Sequence, residues 1–194
     1  LSTKFAQENP ELLSPEIDRP EKALFDSPLS KLIRIMNFVL KGPTQEVMKC
    51  VKIMTRVETP FELLDSQTPQ AKFVMKRFEK INKLYEDLLA YSIKQVSKSK
   101  ILLVKYEENK MSFSGELANE LLYRYPNKLI IVGREKSGEM KCSLRSGKGI
   151  NIPKVLEKAM DGVQGYGGGH EHACGACIKV EDFKRFVEQI KEEI

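Results

Sequence analysis

The chain has 194 residues, of which 41% are hydrophobic and 30% are charged. This is an ordinary composition for a globular protein, with room for one core or for a compact domain with a helical extension. No apolar run reaches the ~20 residues that a membrane span needs, and the start, Leu1-Ser-Thr-Lys-Phe, has no apolar stretch behind it, so we expect no signal peptide. Four cysteines at this length do not indicate a secreted disulfide scaffold, so we expect a cytoplasmic location without membrane contact.

The chain begins with Leu1 rather than Met, and we interpret it as a fragment or a processed chain. Residues 1–27 carry three prolines among acidic residues with little periodicity, which predicts an extended arm or the end of a preceding domain. Residues 28–67 form a predicted helical region, with one helix from Pro28 to Leu40 and a second from Thr44 to Thr55 that Thr44 caps.

Residues 68–97 are predicted to form a long connecting helix. Thr68-Pro69 is a typical helix start, and Val74, Phe78, Ile81 and Tyr85 recur at the spacing of a buried seam. The net charge of +5 falls in this region, because Pro69 to Lys100 contains eight basic and three acidic residues. Such a stretch suits a polyanion or an acidic partner domain, and a solvated helix face is the alternative.

Residues 98–194 show the alternation of an α/β domain. The predicted fold class is therefore α/β, a small mixed-sheet domain that follows the helical region and the connecting helix. The predicted strands are Ile101–Val104, Met111–Phe113, Leu129–Val132, Met140–Leu144 and Cys177–Val180. The predicted helices are Leu117–Tyr123, Pro153–Met160 and a closing helix from Phe183.

A glycine-rich segment from Gly165 to Gly175 carries the strongest chemical signal. Three consecutive glycines, Gly167 to Gly169, precede His170. In a loop their amides can converge on an anion such as a phosphate, to which His170 adds a further donor. A tight loop that needs glycine only for packing is the alternative.

The same segment allows a second interpretation, a zinc site made of His170, His172, Cys174 and Cys177. Ligands at every second residue of one strand lie in a row, however, whereas tetrahedral sites usually take two pairs of ligands from separate segments. We therefore expect no zinc site here.

A second phosphate-competent element lies upstream, where Ser143, Arg145 and Ser146 stand at the end of a predicted strand. A planar guanidinium beside a hydroxyl suits phosphate, although an arginine on an exposed strand is often only solvated.

Together, Ser143-Leu-Arg-Ser146 and Gly167-Gly-Gly-His-x-x-Ala-x-Gly175 resemble the DHH-associated C-terminal domain of DHH-family phosphoesterases. This domain occurs in RecJ-like single-strand nucleases, in oligoribonuclease and cyclic-dinucleotide phosphodiesterases and, in related form, in alanyl-tRNA synthetases. The resemblance covers Ile101 to Ile194 and is strongest to archaeal RecJ-like nucleases. The long helix before it resembles the connecting helix of these proteins.

The resemblance implies a hydrolase whose DHH motif holds two metal ions that activate water. This sequence has no Asp-His-His, and its two histidines are His170 and His172. We therefore expect no catalytic residue and no metal site in this chain, and manganese or magnesium in a missing DHH catalytic domain. The implied substrate-binding residues are Arg145, Ser146, Gly167, Gly168, Gly169 and His170.

The sequence leaves three functions open. The first is the nucleic-acid-binding part of a RecJ-like exonuclease that acts on single strands, which the basic helix favours because a dinucleotide needs no extended positive surface. The second is part of an oligoribonuclease or cyclic-dinucleotide phosphodiesterase. The third is a non-catalytic module that binds replication proteins through the helices between Pro28 and Leu64.

Overall fold

A computed structural model describes residues 3–107, 111–147 and 149–194. The chain divides into two compact units, Leu1–Glu86 and Asp87–Ile194, and the division falls within helix α6. The helices are α1 (Thr3–Glu8), α2 (Pro20–Phe25), α3 (Pro28–Val39), α4 (Thr44–Met54), α5 (Pro60–Leu64), α6 (Pro69–Lys94), α7 (Ser114–Arg124), α8 (Ile152–Ala159) and α9 (Phe183–Glu192). The strands are β1 (Ile101–Glu107), β2 (Leu129–Lys136), β3 (Glu139–Arg145), β4 (Gly165–His170) and β5 (Ala173–Lys179). Among the described residues, no helix is long and apolar enough to cross a membrane.

The first unit is helical, as predicted for its residues from Pro28 onward. Helix α3 begins at Pro28 because Ser27 caps it, its Oγ accepting the Ser30 N–H at 3.1 Å. The buried ring of Phe38 packs against Tyr85 of α6, with ring centroids 5.1 Å apart. The predicted cap of α4 is wrong: Thr44 is its first helical residue, and no side chain caps this helix.

The predicted extended arm at residues 1–27 is also corrected. In the described part of this segment, α1 and α2 fold into a small cluster in which Ala6, Leu13 and Ala23 are buried. The prolines misled the prediction because Pro20 occupies the first turn of α2, where proline is favourable rather than disruptive. Leu1 and Ser2 lie outside the described residues.

Helix α6 begins as predicted, since the Thr68 Oγ1 accepts the Ala71 N–H at 3.1 Å. The predicted seam residues Val74, Phe78, Ile81 and Tyr85 are all buried. On the exposed side, four lysines form a row at three- and four-residue spacing: Lys72, Lys76, Lys80 and Lys83. Arg77 does not join this row, because its guanidinium donates to the backbone oxygens of Val39 and Lys41 and pairs with Glu46.

The second unit contains a five-stranded mixed sheet in the order β1-β2-β3-β5-β4, which confirms the predicted fold class. Strands β1 and β2 are parallel and are connected by α7. The other neighbouring pairs are antiparallel. The predicted strand at Met111–Phe113 is wrong, since these residues have no regular structure. Phe113 is buried, and its N–H donates to the Tyr106 hydroxyl at 3.0 Å.

The two faces of this sheet are covered differently. One face carries the core, where α8 and α9 pack on the alternate residues of β2, β3 and β5. On the other face, α7 lies against β2 and β3. Among the described residues of the second unit, no helix covers this second face over β5 and β4. The faces are referred to below as the packed face and the open face.

Candidate functional site

The glycine-rich segment forms a strand rather than the predicted loop. Gly165 to His170 pair antiparallel with β5, and Glu171 and His172 form the turn between the two strands. Successive amides of an extended strand point in opposite directions, so the three glycine amides do not converge on one anion as the sequence suggested. The segment instead brings β4 to the edge of the sheet, where all six of its residues are exposed.

The three glycines of this strand have different surroundings. A Cβ at Gly167 would lie 3.2 Å from the Ala176 Cβ on the packed face. At Gly169, a Cβ would overlap the Ala173 oxygen and lie 2.7 Å from the Cys174 Cα, and its φ of +149° also favours glycine. At Gly168 a Cβ would meet nothing within 4 Å, because this residue lies on the open face. Gly169 therefore excludes a side chain and Gly167 leaves little room for one, whereas Gly168 faces open space.

Strand register arranges the open face in three rows across β3, β5 and β4. Residues that are paired across a sheet project to the same face. The rows are Arg145–Ala173–His170, Ser143–Gly175–Gly168 and Lys141–Cys177–Tyr166. Small residues make up most of the floor, and longer side chains stand on its two sides.

Arg145 is held rigidly at one end of the open face. Its Nε donates to Asn119 Oδ1 at 2.7 Å, and its Nη1 donates to the backbone oxygens of Leu144 and Cys174 at 2.8 and 3.3 Å. Within the described residues, its Nη2 donors have no partner and no carboxylate pairs with it. Burial lowers the pKa of Arg145, and the Cys174 thiol acts in the opposite direction. Because a guanidinium stays protonated in proteins, the site holds a fixed positive charge with free donors.

His170 stands in the same row as Arg145, although 25 positions separate them in the sequence. Both are paired with Ala173, so two strand spacings, about 10 Å, separate their backbones. The imidazole is exposed and has no partner among the described residues. An anion on Ala173 would thus lie between two side chains that can donate to it.

Ser146, the remaining predicted site residue, is buried and lies beyond the end of β3. Its Oγ donates to the Ile150 oxygen at 2.9 Å and lies 3.4 Å from His172 Nδ1, and its N–H donates to the His172 oxygen. These bonds fix the hairpin turn that follows His170. The structure thus places Arg145, Gly168 and His170 on the open face and Ser146 behind it.

Sequence reasoning missed two residues of the open face. Tyr166 is 73% exposed, and contact with the Cys177 thiol raises its pKa. Asn119 on α7 fixes Arg145. An alternation signal was present for Tyr166, since it is two residues from Gly168 and four from His170, but it could be used only once the segment was known to be a strand.

The zinc interpretation does not fit the geometry. Cys174 contributes to the packed core, whereas Cys177 is an odd number of positions away on the same strand and points to the other face. In the described ranges, no group of three or more His, Cys, Asp and Glu side chains is placed to hold a metal ion.

Comparison with known proteins gives a family and a fold. The DHHA1 domain matches residues 98–194. No curated protein matches the chain. Among solved structures, RecJ from Thermus thermophilus in complex with Mg²⁺ is 17% identical with a TM-score of 0.62, covering 89% of this chain and 25% of that one. A pGpG-specific phosphodiesterase, PggH from Vibrio cholerae, is 18% identical with a TM-score of 0.56, covering 97% of this chain and 66% of that one. The chain thus spans a quarter of RecJ and two of every three PggH residues.

Proposed function

Because the chain belongs to the DHHA1 domain family, we propose that its open face binds the phosphate backbone of single-stranded nucleic acid for a DHH phosphoesterase. The match over residues 98–194, together with the fold shared with RecJ, bears out the resemblance to the DHH-associated domain of RecJ-like proteins that the sequence motifs suggested. In this proposal the catalytic metal ions belong to a DHH domain outside this chain. The archaeal affinity, the cytoplasmic location and the replication partners stay predictions.

Arg145 is the observation that carries the proposal. A half-buried guanidinium usually has a carboxylate partner, but this one is fixed by an amide and two backbone oxygens. The guanidinium group is already oriented before a ligand binds. Little side-chain entropy is therefore lost when it binds a planar or tetrahedral oxyanion. Charge-assisted hydrogen bonds from such a group are the stronger kind.

The chain's own residues bind and orient, and we assign them no hydrolytic step. Magnesium and manganese are held mainly by several oxygen ligands, and Arg145, His170, Ser143 and Tyr166 do not make such a set. A metal ion bound elsewhere would supply the activated water. The open face would hold the neighbouring phosphate so that the scissile bond keeps its position relative to that ion.

The shape of the open face favours a single-stranded nucleic acid as its ligand over a single nucleotide. Its rows repeat every second residue, so it extends for about 13 Å along β4, without an enclosing wall over Gly168. A dinucleotide phosphodiesterase is the second candidate, because PggH shares the fold over most of the chain. A dinucleotide would need the Arg145 and His170 row alone, whereas a longer strand would also reach Tyr166.

The test compares Arg145→Ala, His170→Ala and the double variant in titrations with a labelled single-stranded 12-mer. Each charge-assisted bond contributes about 1.5–3 kcal/mol, so each single variant should bind about tenfold more weakly or worse. The double variant should lose less than the sum, because both side chains contact one phosphate. Melting curves should stay close to that of the unaltered chain.

Arg185→Ala is the matched control. This arginine also donates to a backbone oxygen, that of Gly162, but lies on α9 away from the open face. It should bind the 12-mer like the unaltered chain. Unchanged affinity in both Arg145→Ala and His170→Ala would refute the proposal, as would an equal loss in Arg185→Ala.

A further inference from the structure

A separate cavity of about 610 Å³ lies in the second unit, beside the loop that follows β3. Its lining combines four lysines and one acid with the backbone of two loops: Lys100, Lys128, Lys154, Lys158, Glu193, Pro126, Gly147 and Gly149. We propose that this lysine cavity is a second phosphate site, which holds a nucleic-acid strand after it leaves the open face. The proposal rests on the proposed function and adds to it a preference for longer strands.

The charge of the lysine cavity is only partly compensated. Lys158 pairs with Glu193 at 2.6 Å. Lys100 donates to the Ile194 oxygen, also at 2.6 Å. The Lys158 ammonium group is thus paired with a carboxylate, whereas the backbone oxygen that Lys100 contacts is a neutral acceptor and leaves the charge of Lys100 in the cavity.

Lys128 keeps its charge although its position is fixed. It donates to the backbone oxygens of Ser97 and Ser99, at 2.8 and 2.5 Å. These are neutral acceptors, so they hold the ammonium group in place without cancelling its charge. A concave surface with an excess of one sign concentrates anions.

Lys154 differs from the other three lysines of the described cavity lining. Its side chain is exposed and has no partner among the described residues. It lies in the first turn of α8, where the helix dipole also favours an anion. The amides of this turn are already used, because Ile152 N–H donates to the Glu171 oxygen and Lys154 N–H to Asn151 Oδ1. Binding would therefore come from ammonium groups rather than from helix amides.

The lysine cavity is joined to the open face by a short, hydrogen-bonded path. Gly147 on the cavity wall is two positions after Arg145, so their Cα atoms are at most about 7 Å apart. Ser146 on this path and Ile152 at the start of α8 donate their backbone N–H groups to the oxygens of His172 and Glu171 in the hairpin turn. The wall of the cavity and the end of the open face thus belong to one body. A nucleic-acid strand bound at Arg145 would reach the cavity within a few nucleotides. A dinucleotide bound at Arg145 would be too short to reach it.

The experiment measures binding of a 12-nucleotide oligothymidylate and of a 5′-phosphorylated dithymidylate to the 194-residue chain and to Lys154→Glu. The 12-mer should bind about three- to tenfold more weakly to the variant at low salt. The slope of log affinity against log salt should also fall by about 0.7 for each phosphate contact that is lost. The dithymidylate should bind with unchanged affinity, within about twofold.

Lys184→Glu is the matched control, since Lys184 also lies exposed in the first turn of a helix, α9, but outside the cavity. It should leave both ligands unaffected. Equal losses for the two ligands, no loss for the 12-mer, or the same loss in Lys184→Glu would overturn the proposal. A titration with inorganic phosphate alone gives one more test. If Lys154→Glu abolishes phosphate binding but leaves binding of the 12-mer unaffected, the cavity binds free phosphate and the proposal is overturned.

Arg145→Ala separates this inference from the proposed function. If both proposals hold, Arg145→Ala weakens the 12-mer and the dithymidylate alike, whereas Lys154→Glu weakens only the 12-mer. If Arg145→Ala changes neither ligand and Lys154→Glu still weakens the 12-mer, the open-face proposal fails and the lysine cavity stands as a nucleic-acid site.

Discussion

The packed and open faces of one sheet use the same strands for opposite purposes. On the packed face, β3 and β5 bury Met140, Leu144 and Ile178 beneath α8 and α9. On the open face, the same strands present Ser143, Arg145 and Gly175. Side-chain volume decides which residues fit the packed face. The open face is characterised by free space and by exposed hydrogen-bond donors. Residue type alone does not distinguish the two, because glycine occurs on both for different reasons.

The largest effect should separate two neighbouring glycines. Gly169→Ala places a Cβ against the Ala173 oxygen at a positive φ, so we expect about 2–4 kcal/mol loss in the free energy of unfolding. Gly168→Ala has open space and should change stability by less than about 0.5 kcal/mol. Urea unfolding of the two variants measures this difference, and equal losses would contradict the assignment of the two faces.

Gly168→Val completes the comparison. A β-branched residue suits a strand, so this variant should melt close to the unaltered chain. Its side chain would nevertheless occupy the open face, and 12-mer binding should weaken by about the same factor as in Arg145→Ala. If folded Gly168→Val binds the 12-mer as well as the unaltered chain does, the nucleic-acid strand does not lie on the row that contains Gly168.

Tyr166 should also contribute to binding, because its exposed ring can stack on a base. Such stacking is worth about 1–3 kcal/mol, so Tyr166→Ala should weaken binding of the 12-mer by about tenfold. Tyr166→Phe should retain most of the affinity. An abasic 12-mer should bind equally to all three chains, since it has no base to stack. If Tyr166→Phe loses as much affinity for the 12-mer as Tyr166→Ala does, the contact of the hydroxyl group with Cys177 matters for binding rather than the ring.

The smallest effect concerns the packed face. Burial, with a lesser contribution from the Cys177 thiol, raises the pKa of Cys142 to about 12. The unfolded thiol ionises near pH 9, so the folded state keeps a proton that the unfolded state releases, and stability falls as the pH rises from about 9 towards 12.

Between pH 8 and pH 10, the unaltered chain should therefore lose about 1 kcal/mol more unfolding free energy than Cys142→Ala. Each protein is compared with itself at the two pH values, because the substitution also truncates the core. Identical pH dependence would show that Cys142 does not control this loss.

The helices and strands that could be predicted from the sequence are those in which apolar side chains recur with the period of the element. Strands β1, β2 and β3 and helices α7, α8 and α9 have apolar runs or stripes that mark a buried face. Strand β4 has none, because its glycines carry no side chain and favour no strand by themselves. Pairing with β5 makes it a strand, and that is a long-range property.

Part of the candidate site could likewise be predicted from local chemistry alone. Arg145 and His170 were identified as phosphate-binding types, and register brings them into one row. Ser146 belonged to the same motif, yet its hydroxyl is used by Ile150. Which hydroxyl is free depends on how the loop after β3 folds, and the sequence pattern holds no information on that.

The pleat of β4 places a constraint on how this gene can change in length. Tyr166, Gly168 and His170 share the open face because they are two positions apart, while Gly167 and Gly169 fit against the packed core. Inserting or deleting one residue within β4 would turn these sets over, bringing bulky side chains against Ala176 and Cys174 and glycines to the outside. A change of two residues would preserve the alternation. We therefore expect a change of two residues inside this strand to disturb the fold less than a change of one, provided that glycine remains at the packed positions.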